Sequence, residues 1–131
     1  MVTVSAHRPV VGRGFTIVEL LVVLASIALL LSVAVPRYVR HLDVARDTVL
    51  RENLRQVRDA IDKFHADQAR YPANLAELVA KRYLRSVPVD PVTDRTDSWL
   101  LVAPANNTAG VFDVRSGAAG KAADGSVYGS W

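Results

Sequence analysis

Residues 14–36 read G-F-T-I-V-E-L-L-V-V-L-A-S-I-A-L-L-L-S-V-A-V-P, an apolar run that contains one charged side chain, Glu19. Residues 15–35 number 21, and a helix of about 20 residues, rising about 1.5 Å per residue, crosses about 30 Å of hydrocarbon. Two arginines, Arg8 and Arg13, precede the run. The segment therefore predicts a membrane-spanning helix.

Glu19 is the unusual residue of this segment, because an ionised side chain deep in a bilayer costs roughly 2.5–3.5 kcal/mol on insertion scales. It lies a little over one helical turn inside the run, nearer the edge than the centre. Two explanations stay open on physical grounds. The carboxylate either reaches the interface or benefits from the dipole at a helix N-terminus, or it has a partner and a function.

The sequence G-F-T-I-V-E-L-L-V-V-L at residues 14–24 resembles the class III leader junction of type IV pilins and type II secretion pseudopilins. The resemblance implies that a prepilin peptidase cuts after Gly14 and that the new N-terminal residue, Phe15, is N-methylated. It also implies that Glu19 pairs with the terminal amine of a neighbouring subunit. A terminal ammonium, with a reference pKa of about 7.7–8.0, is a suitable buried partner for a carboxylate.

Composition allows one small domain beside the membrane segment. Removal of the leader, residues 1–14, would leave 117 of 131 residues. Two arginines leave with it, so 14 basic residues face 13 acidic ones and the charge falls from +3 to +1, which gives no argument for nucleic acid. The chain has no cysteine, which excludes a disulfide and a cysteine metal site. Because many type IV pilins carry a disulfide, this absence favours a pseudopilin.

Positive charges do not choose the orientation of the span. Two arginines precede it, and Arg37, Arg40 and Arg46 follow it, so neither side has a clear excess. The resemblance implies a bacterial inner-membrane protein with a single pass, the leader in the cytoplasm and a soluble domain, residues 37–131, in the periplasm.

Pro36 ends the apolar run, and the helix is expected to resume over residues 37–66. A proline inside a helix removes one hydrogen bond and clashes with a preceding carbonyl, which predicts a kink or local melting. The resemblance makes Pro36 a point where the assembly helix, residues 15–36, unwinds in a filament, and the simpler alternative is a membrane exit. An apolar stripe at spacings of three and four residues predicts the face that packs on a sheet. The stripe consists of Leu50, Leu54, Val57, Ile61 and Phe64.

The remaining soluble residues predict a short helix followed by strands. Asn74 is a plausible N-cap for a helix over residues 74–81. The strands fall within residues 86–131, at 99–102 and 111–114, with a turn cluster at 106–110 between them.

The stretch from Tyr71-Pro72 to Asp90-Pro91 resembles the major pseudopilin, protein G, of type II secretion. The expected fold is α+β, a pilin-like lollipop in which a long N-terminal helix packs on a small antiparallel sheet.

The tail, residues 116–131, raises the question of a metal, because the resemblance implies a calcium ion that stabilises this region. The candidate ligands are Ser116, Asp124 and Ser126. Calcium takes six to eight oxygen ligands, several of them carboxylates, and Asp124 is the only acid of the tail. Ala119 stands where the family tends to carry an aspartate. A metal-free loop pinned by Tyr128 and Trp131 is therefore favoured over a weak calcium site.

The histidines and the remaining acidic residues do not predict a zinc site or a catalytic site. His7 belongs to the leader, and His41 and His65 lie 24 residues, about 36 Å of helical rise, apart, whereas zinc needs ligands that converge. The acids Asp90, Asp94 and Asp97 are expected in a solvated loop. No nucleotide or nucleophile motif is present, so no enzymatic activity is expected.

Arg51, Arg55 and Arg58 could form a basic edge that touches DNA. Interleaved acids dilute it, and no aromatic residues alternate with the arginines as a single-strand platform requires. Nucleic acid is therefore not an expected partner.

These features predict a structural subunit of a type II secretion pseudopilus, processed by prepilin peptidase and polymerised from the inner membrane to drive protein secretion. Its expected partners are other copies of itself, minor pseudopilins, the prepilin peptidase and the inner-membrane assembly platform. The alternative is a type IV pilus or DNA-uptake subunit of the same architecture. A monomeric membrane-anchored domain would leave the Gly14–Phe15 junction unexplained.

Overall fold

The computed structural model describes residues 1–4 and 12–131. His7 and Arg8 lie outside the described residues. The elements in chain order are α1 (Ile17–Gln68), α2 (Leu75–Ala80), β1 (Leu100–Val102), β2 (Asp113–Arg115) and a 3-10 turn, η1 (Tyr128–Ser130). One long helix packed on a small antiparallel sheet confirms the expected α+β, pilin-like fold class. The chain divides into two compact units, Met1–Arg37 and Tyr38–Trp131.

Thr16 caps the N-terminus of α1 in the first unit. Its hydroxyl Oγ1 accepts a hydrogen bond from the backbone N–H of Glu19 at 3.1 Å, and its carbonyl accepts from the N–H of Leu20 at 3.1 Å. The bond from Glu19 satisfies a backbone donor that the first turn of a helix otherwise leaves without a partner, and the bond from Leu20 is the first regular bond of the helix. An 18-residue window of α1 has a mean hydropathy of 2.7 and is entirely unburied. By length and composition, α1 can cross a membrane.

Pro36 lies inside α1 without interrupting it. Local melting at this proline is therefore absent from the structure of the single chain, because the loss of one donor leaves the hydrogen bonds of the flanking turns in place. The helix continues to Gln68, two residues beyond the expected end. It ends where Ala69 adopts a left-handed φ of 54°, a conformation that cannot continue a right-handed helix.

The predicted apolar stripe of α1 is confirmed as the centre of the core in the Tyr38–Trp131 unit. All five stripe residues, 50, 54, 57, 61 and 64, are at most 2% exposed. Side chains from α2, from β2 and from the tail complete this core. They include Leu75, Leu78, Trp99, Val111, Val114, Ala118, Ala122 and Tyr128.

Strands β1 and β2 pair antiparallel, with Leu101 opposite Val114. Both predicted strands exist, but each is shorter than expected. Trp99 precedes the strand and is buried, and its indole Nε1 donates to the carbonyl of Pro88 at 2.9 Å. Val111 gives its N–H to the carbonyl of Pro72 at 2.8 Å, so it lies outside the strand. The predicted turn between the strands is confirmed, with φ of 55° at Asn107.

The prediction that Asn74 caps the short helix is also confirmed. The Asn74 side chain accepts from the N–H of Glu77 at 2.9 Å. The Glu77 carboxylate in turn accepts from the N–H of Ala73 at 2.7 Å and from the Arg70 guanidinium at 2.6 Å. These reciprocal bonds, similar to a capping box, order a helix of only six residues.

Candidate functional site

The predicted cleavage junction lies directly before α1. Gly14 and Phe15 are outside the helix, and the Phe15 side chain is 90% exposed. A Cβ built on Gly14, or on nearby Gly12, meets no atom within 4 Å. Among residues 1–4 and 12–131, the backbone at the junction is therefore not crowded by other atoms. Cleavage after Gly14 and methylation of Phe15 remain predictions.

Glu19 occupies the first turn of α1, at the third helical position after the Thr16 cap. It is exposed and helps to line an open cleft of about 440 Å³ together with Arg13, Gly14 and Phe15. A negative charge at this end of a helix is favoured by the helix dipole. The carboxylate is also accessible to a cation from another molecule, so the structure accommodates both explanations of Glu19.

The apolar half of α1 exposes large side chains around its whole circumference. Leu20 and Leu21 are each more than half exposed, and Leu29 and Leu30 are each 70% exposed. Removal of apolar surface from water is favourable by a free energy of about 25 cal/mol per Å². This segment is therefore expected to be surrounded by lipid or by other helices. Pro36 is the last residue of this apolar segment and lies within the continuous helix.

The tail contacts α1 at two places, and each contact contains one aspartate. The first aspartate belongs to α1 and the second to the tail. Asp47 of α1 is buried, and its Oδ1 accepts from the Tyr128 hydroxyl at 2.7 Å. Its Oδ2 accepts from the N–H of Ala123 at 2.8 Å. Burial, and then the hydrogen bond to Asp47, raise the pKa of Tyr128 to about 12. Both oxygens of Asp47 are therefore committed to holding the tail.

The second contact is made by Arg51, one turn further along α1. Its guanidinium lies 2.7 Å from Oδ2 of Asp124 and 4.1 Å from the ring centroid of Trp131. The Ser126 hydroxyl and N–H donate to Oδ1 of Asp124 at 2.5 and 2.9 Å, and Ser126 accepts from the Trp131 indole at 2.8 Å. The bonds from Ser126, followed by Arg51, hold the pKa of Asp124 at about 2. Tyr128 therefore contacts Asp47 of α1, and Trp131 contacts Arg51 of α1.

The three candidate calcium ligands are not gathered into one set. Asp124 and Ser126 are bonded to each other, whereas Ser116 is fully buried and donates its hydroxyl to Asp90 at 2.7 Å. No group of three or more His, Asp or Glu side chains that could hold a metal occurs in residues 1–4 and 12–131. Asp124, the single acidic side chain of the tail, pairs with the Arg51 guanidinium. These ligands do not fit calcium, which prefers several carboxylates.

Asp90 corrects the expectation that the acids at 90, 94 and 97 form a solvated loop. Asp94 and Asp97 are exposed, but Asp90 is fully buried. Its Oδ1 accepts from the N–H groups of Val92 and Thr93 at 2.8 and 3.3 Å, and its Oδ2 accepts from Ser116. An aspartate before a proline accepts hydrogen bonds from the backbone N–H groups of the turn that follows it. The bond from Ser116 connects this turn to the tail.

The three arginines of the proposed basic edge each face a carboxylate. Arg51 pairs with Asp124, and Arg55 pairs with Glu52 at 2.7 Å and with Asp59 at 3.3 Å. Arg58 is only half-buried and reaches β2, where it donates to Asp113 at 2.8 Å. His41 and His65, both on α1, are exposed.

Sequence reasoning missed Asp47, although a signal for it exists. Asp47 extends the apolar stripe of α1 backwards by three residues, in the same alternation of three and four. A lone acid on the buried face of a helix predicts a hydrogen-bonded partner from elsewhere in the chain. The partner, Tyr128, lies 81 residues away and could not be named from the pattern.

Comparison with known proteins gives several relatives of this chain. The chain is 31% identical to the type II secretion system core protein G of Pseudomonas aeruginosa, over 82% of this chain and 84% of that protein. It is 33% identical to the type IV wide pilus major component PilA4 of Thermus thermophilus, over 70% of this chain and 72% of that protein. It is 32% identical to the competence protein ComGC of Halalkalibacterium halodurans, over 54% of this chain and 70% of that protein.

No protein-family model matches the chain, and no solved structure matches it. The chain belongs to the type IV pilin-like family, which includes the pseudopilins of type II secretion.

Proposed function

We propose that this protein is a structural subunit of a type II secretion pseudopilus, without enzymatic activity, that is assembled from the bacterial inner membrane to drive protein secretion. The observation that carries the proposal is the Gly14–Phe15 junction two residues before α1, with Glu19 in the first turn. The similarity to a type II secretion core protein G over most of both chains supports the same system.

Processing would create a charged partner for Glu19. A prepilin peptidase that cuts after Gly14 leaves an ammonium on Phe15, and N-methylation preserves its charge. An isolated carboxylate in lipid is costly, whereas a carboxylate that faces a terminal ammonium from the next subunit is compensated. Each incoming subunit would take its register from this pair.

Polymerisation would cover the exposed apolar half of α1. Before assembly, this segment spans the inner membrane once and the Tyr38–Trp131 unit lies in the periplasm. In the filament, the same side chains pack on those of neighbouring subunits through a heterologous contact that does not close. Pro36 offers a point where the helix can unwind during this packing. Minor pseudopilins and the inner-membrane assembly platform are the other partners that this function requires.

A type IV pilus or DNA-uptake subunit is the alternative function. The similarity to PilA4 and to ComGC supports it, because both are at least 32% identical to this chain. Deletion of the gene in its own host separates the two functions. Loss of proteins from the culture medium with normal pili and DNA uptake supports the secretion pseudopilus, and the reverse pattern supports the alternative.

The decisive experiment is the intact mass and N-terminal sequence of the protein extracted from its host membrane. We expect a chain of 117 residues that begins at Phe15 and is heavier by one methyl group, since residues 1–14 are removed from 131. An uncut chain in a host with an active prepilin peptidase would overturn the proposal.

Two alanine substitutions form a matched pair for this experiment. Gly14→Ala should block processing, whereas Gly12→Ala should be processed normally. A Cβ at either position meets nothing within 4 Å, so neither variant should disturb the fold. A difference between them therefore reports what the peptidase recognises.

Self-assembly is tested by a disulfide through the span. The chain has no cysteine, so a cysteine introduced as Leu24→Cys is the only one that can form a cross-linked dimer. We expect dimers with native Glu19 and far fewer with Glu19→Gln, although both variants lose the leader. Equal cross-linking in both would show that Glu19 does not act in assembly.

A further inference from the structure

The tail, residues 116–131, contacts α1 at two places one helical turn apart. At the first, the buried Asp47 carboxylate accepts from Tyr128 and from the backbone of Ala123. At the second, Arg51 pairs with Asp124. Each carboxylate at these positions already has donors on both of its oxygens.

Arg51 offers what a bound cation would offer at Asp124. Its guanidinium carries a permanent positive charge and presents planar donors that suit a carboxylate. One nitrogen lies 2.7 Å from Asp124, and the plane covers the Trp131 ring at 4.1 Å. A cation over the face of an indole is attracted by the ring electrons. Arg51 therefore contacts both ends of the 124–131 segment.

Charge balance leaves little for a metal ion at this place. Asp124 is the only acid among residues 116–131, and Arg51 neutralises it. Calcium would have to displace the guanidinium and would still lack the further carboxylates that it prefers. Asp47, the nearest acid of α1 that bonds to the tail, has both oxygens occupied by donors.

We propose that the Arg51 guanidinium takes the place of a metal ion in this subunit, so that the tail is ordered without calcium. The inference rests on contacts within the Tyr38–Trp131 unit and not on the proposed role in secretion. The subunit would fold and hold its tail in a calcium-poor medium.

The first test measures the thermal unfolding of the full chain in detergent, with excess EGTA or with about 1 mM calcium, a level that occupies weak extracellular sites. We expect the same Tm in both conditions and no heat of calcium binding by titration calorimetry. A Tm that rises in calcium would overturn the proposal, since a ligand that binds the folded state raises its stability.

The second test follows the tail itself. Lys121 is the only tryptic site among residues 116–131, so brief digestion releases residues 122–131 at a rate that reports local opening of the tail. We expect Arg51→Ala to speed this release several-fold in EGTA and to lower the Tm by a few degrees, with Arg51→Lys intermediate because it keeps the charge and loses the planar contact.

Arg55→Ala is the matched control, because Arg55 lies one turn away and its ion pairs are with Glu52 and Asp59 of the same helix. It should leave the release of residues 122–131 unchanged. Equal release rates for Arg51→Ala and Arg55→Ala would show that the guanidinium does not hold the tail. Protection of Lys121 by calcium in the unaltered chain would show that a metal ion does.

Discussion

At the scale of single residues, the surroundings of each carboxylate decide what it does. Asp47 and Asp90 are buried, and each accepts hydrogen bonds from parts of the chain far away in sequence. A hydrogen bond to a charged group contributes about 1.5–3 kcal/mol, and a buried group that loses its partner costs as much again. These two aspartates are therefore structural, whereas the exposed Glu19 is available to another molecule.

Glu77 should make the stability of the folded chain depend on pH in the acidic range. The Arg70 guanidinium, followed by the N–H of Ala73, lowers the pKa of Glu77 from 4.5 to about 2. A group whose pKa is lower in the folded chain contributes stability above its unfolded pKa and loses it as pH falls through the folded value. We predict that Tm falls between pH 4.5 and 2 and that Glu77→Gln makes this fall shallower, as measured by circular dichroism.

The same substitution at an exposed pair is the control for Glu77. Glu52 pairs with Arg55 within α1 and caps no helix. Glu52→Gln should therefore lower the Tm at pH 7 less than Glu77→Gln, which also removes the acceptor for the N–H of Ala73. A larger effect at Glu52 would contradict the role given to Glu77.

At the scale of secondary-structure elements, α1 combines two helices with different surroundings. Its first half is apolar on every side and exposed, and its second half has a single buried stripe. A helix that is hydrophobic all round belongs in a membrane or inside an assembly, whereas a striped helix packs on one side only. One continuous element therefore combines a segment that can cross a membrane with the central helix of the folded domain.

Gly117 lies where the tail crosses the segment before β1. A Cβ at this position would overlap the backbone carbonyl of Ser98, and backbone cannot yield as a flexible side chain can. We predict that Gly117→Ala destabilises the protein by about 1–3 kcal/mol, the usual cost of overpacking, as measured by urea unfolding.

Gly129→Ala provides the comparison, because a Cβ there meets nothing within 4 Å. It should change the free energy of unfolding by less than about 0.5 kcal/mol, as ordinary surface substitutions do. If both glycine variants were equally stable, the close approach of residue 117 to Ser98 would not exist in solution.

At the scale of the whole molecule, the buried core lies entirely within the Tyr38–Trp131 unit. We predict that a chain beginning at Tyr38 folds as a soluble domain, because it keeps every buried apolar side chain of the core. Size-exclusion chromatography should show a compact species, and thermal unfolding should be cooperative.

A shorter chain that begins at Asn53 is the control for this prediction. It lacks Asp47, Leu50 and Arg51, and with them both attachments of the tail. It should unfold at a lower temperature or fail to fold. A stable shorter chain, or an unfolded longer one, would contradict the division of the molecule.

Much of the fold follows from local patterns. The apolar segment, the five-residue stripe of α1 and the Asn74 cap depend on residues within a few positions of one another, and the structure confirms them. The junction at Gly14 and Phe15 also comes from a local pattern, and its processing stays a prediction. The strand ends differ from the prediction, because Trp99 packs in the core before β1 and Val111 bonds to Pro72 outside the sheet.

The long helix, its apolar first half and its buried face can be read from the sequence, because helical periodicity is a property of neighbouring residues. The partners of the charged residues become known only from the folded chain. The bonds Tyr128–Asp47, Arg51–Asp124 and Ser116–Asp90 join residues 81, 73 and 26 positions apart. No local period encodes such pairs, since they form only when packing of the core brings distant side chains within hydrogen-bonding distance.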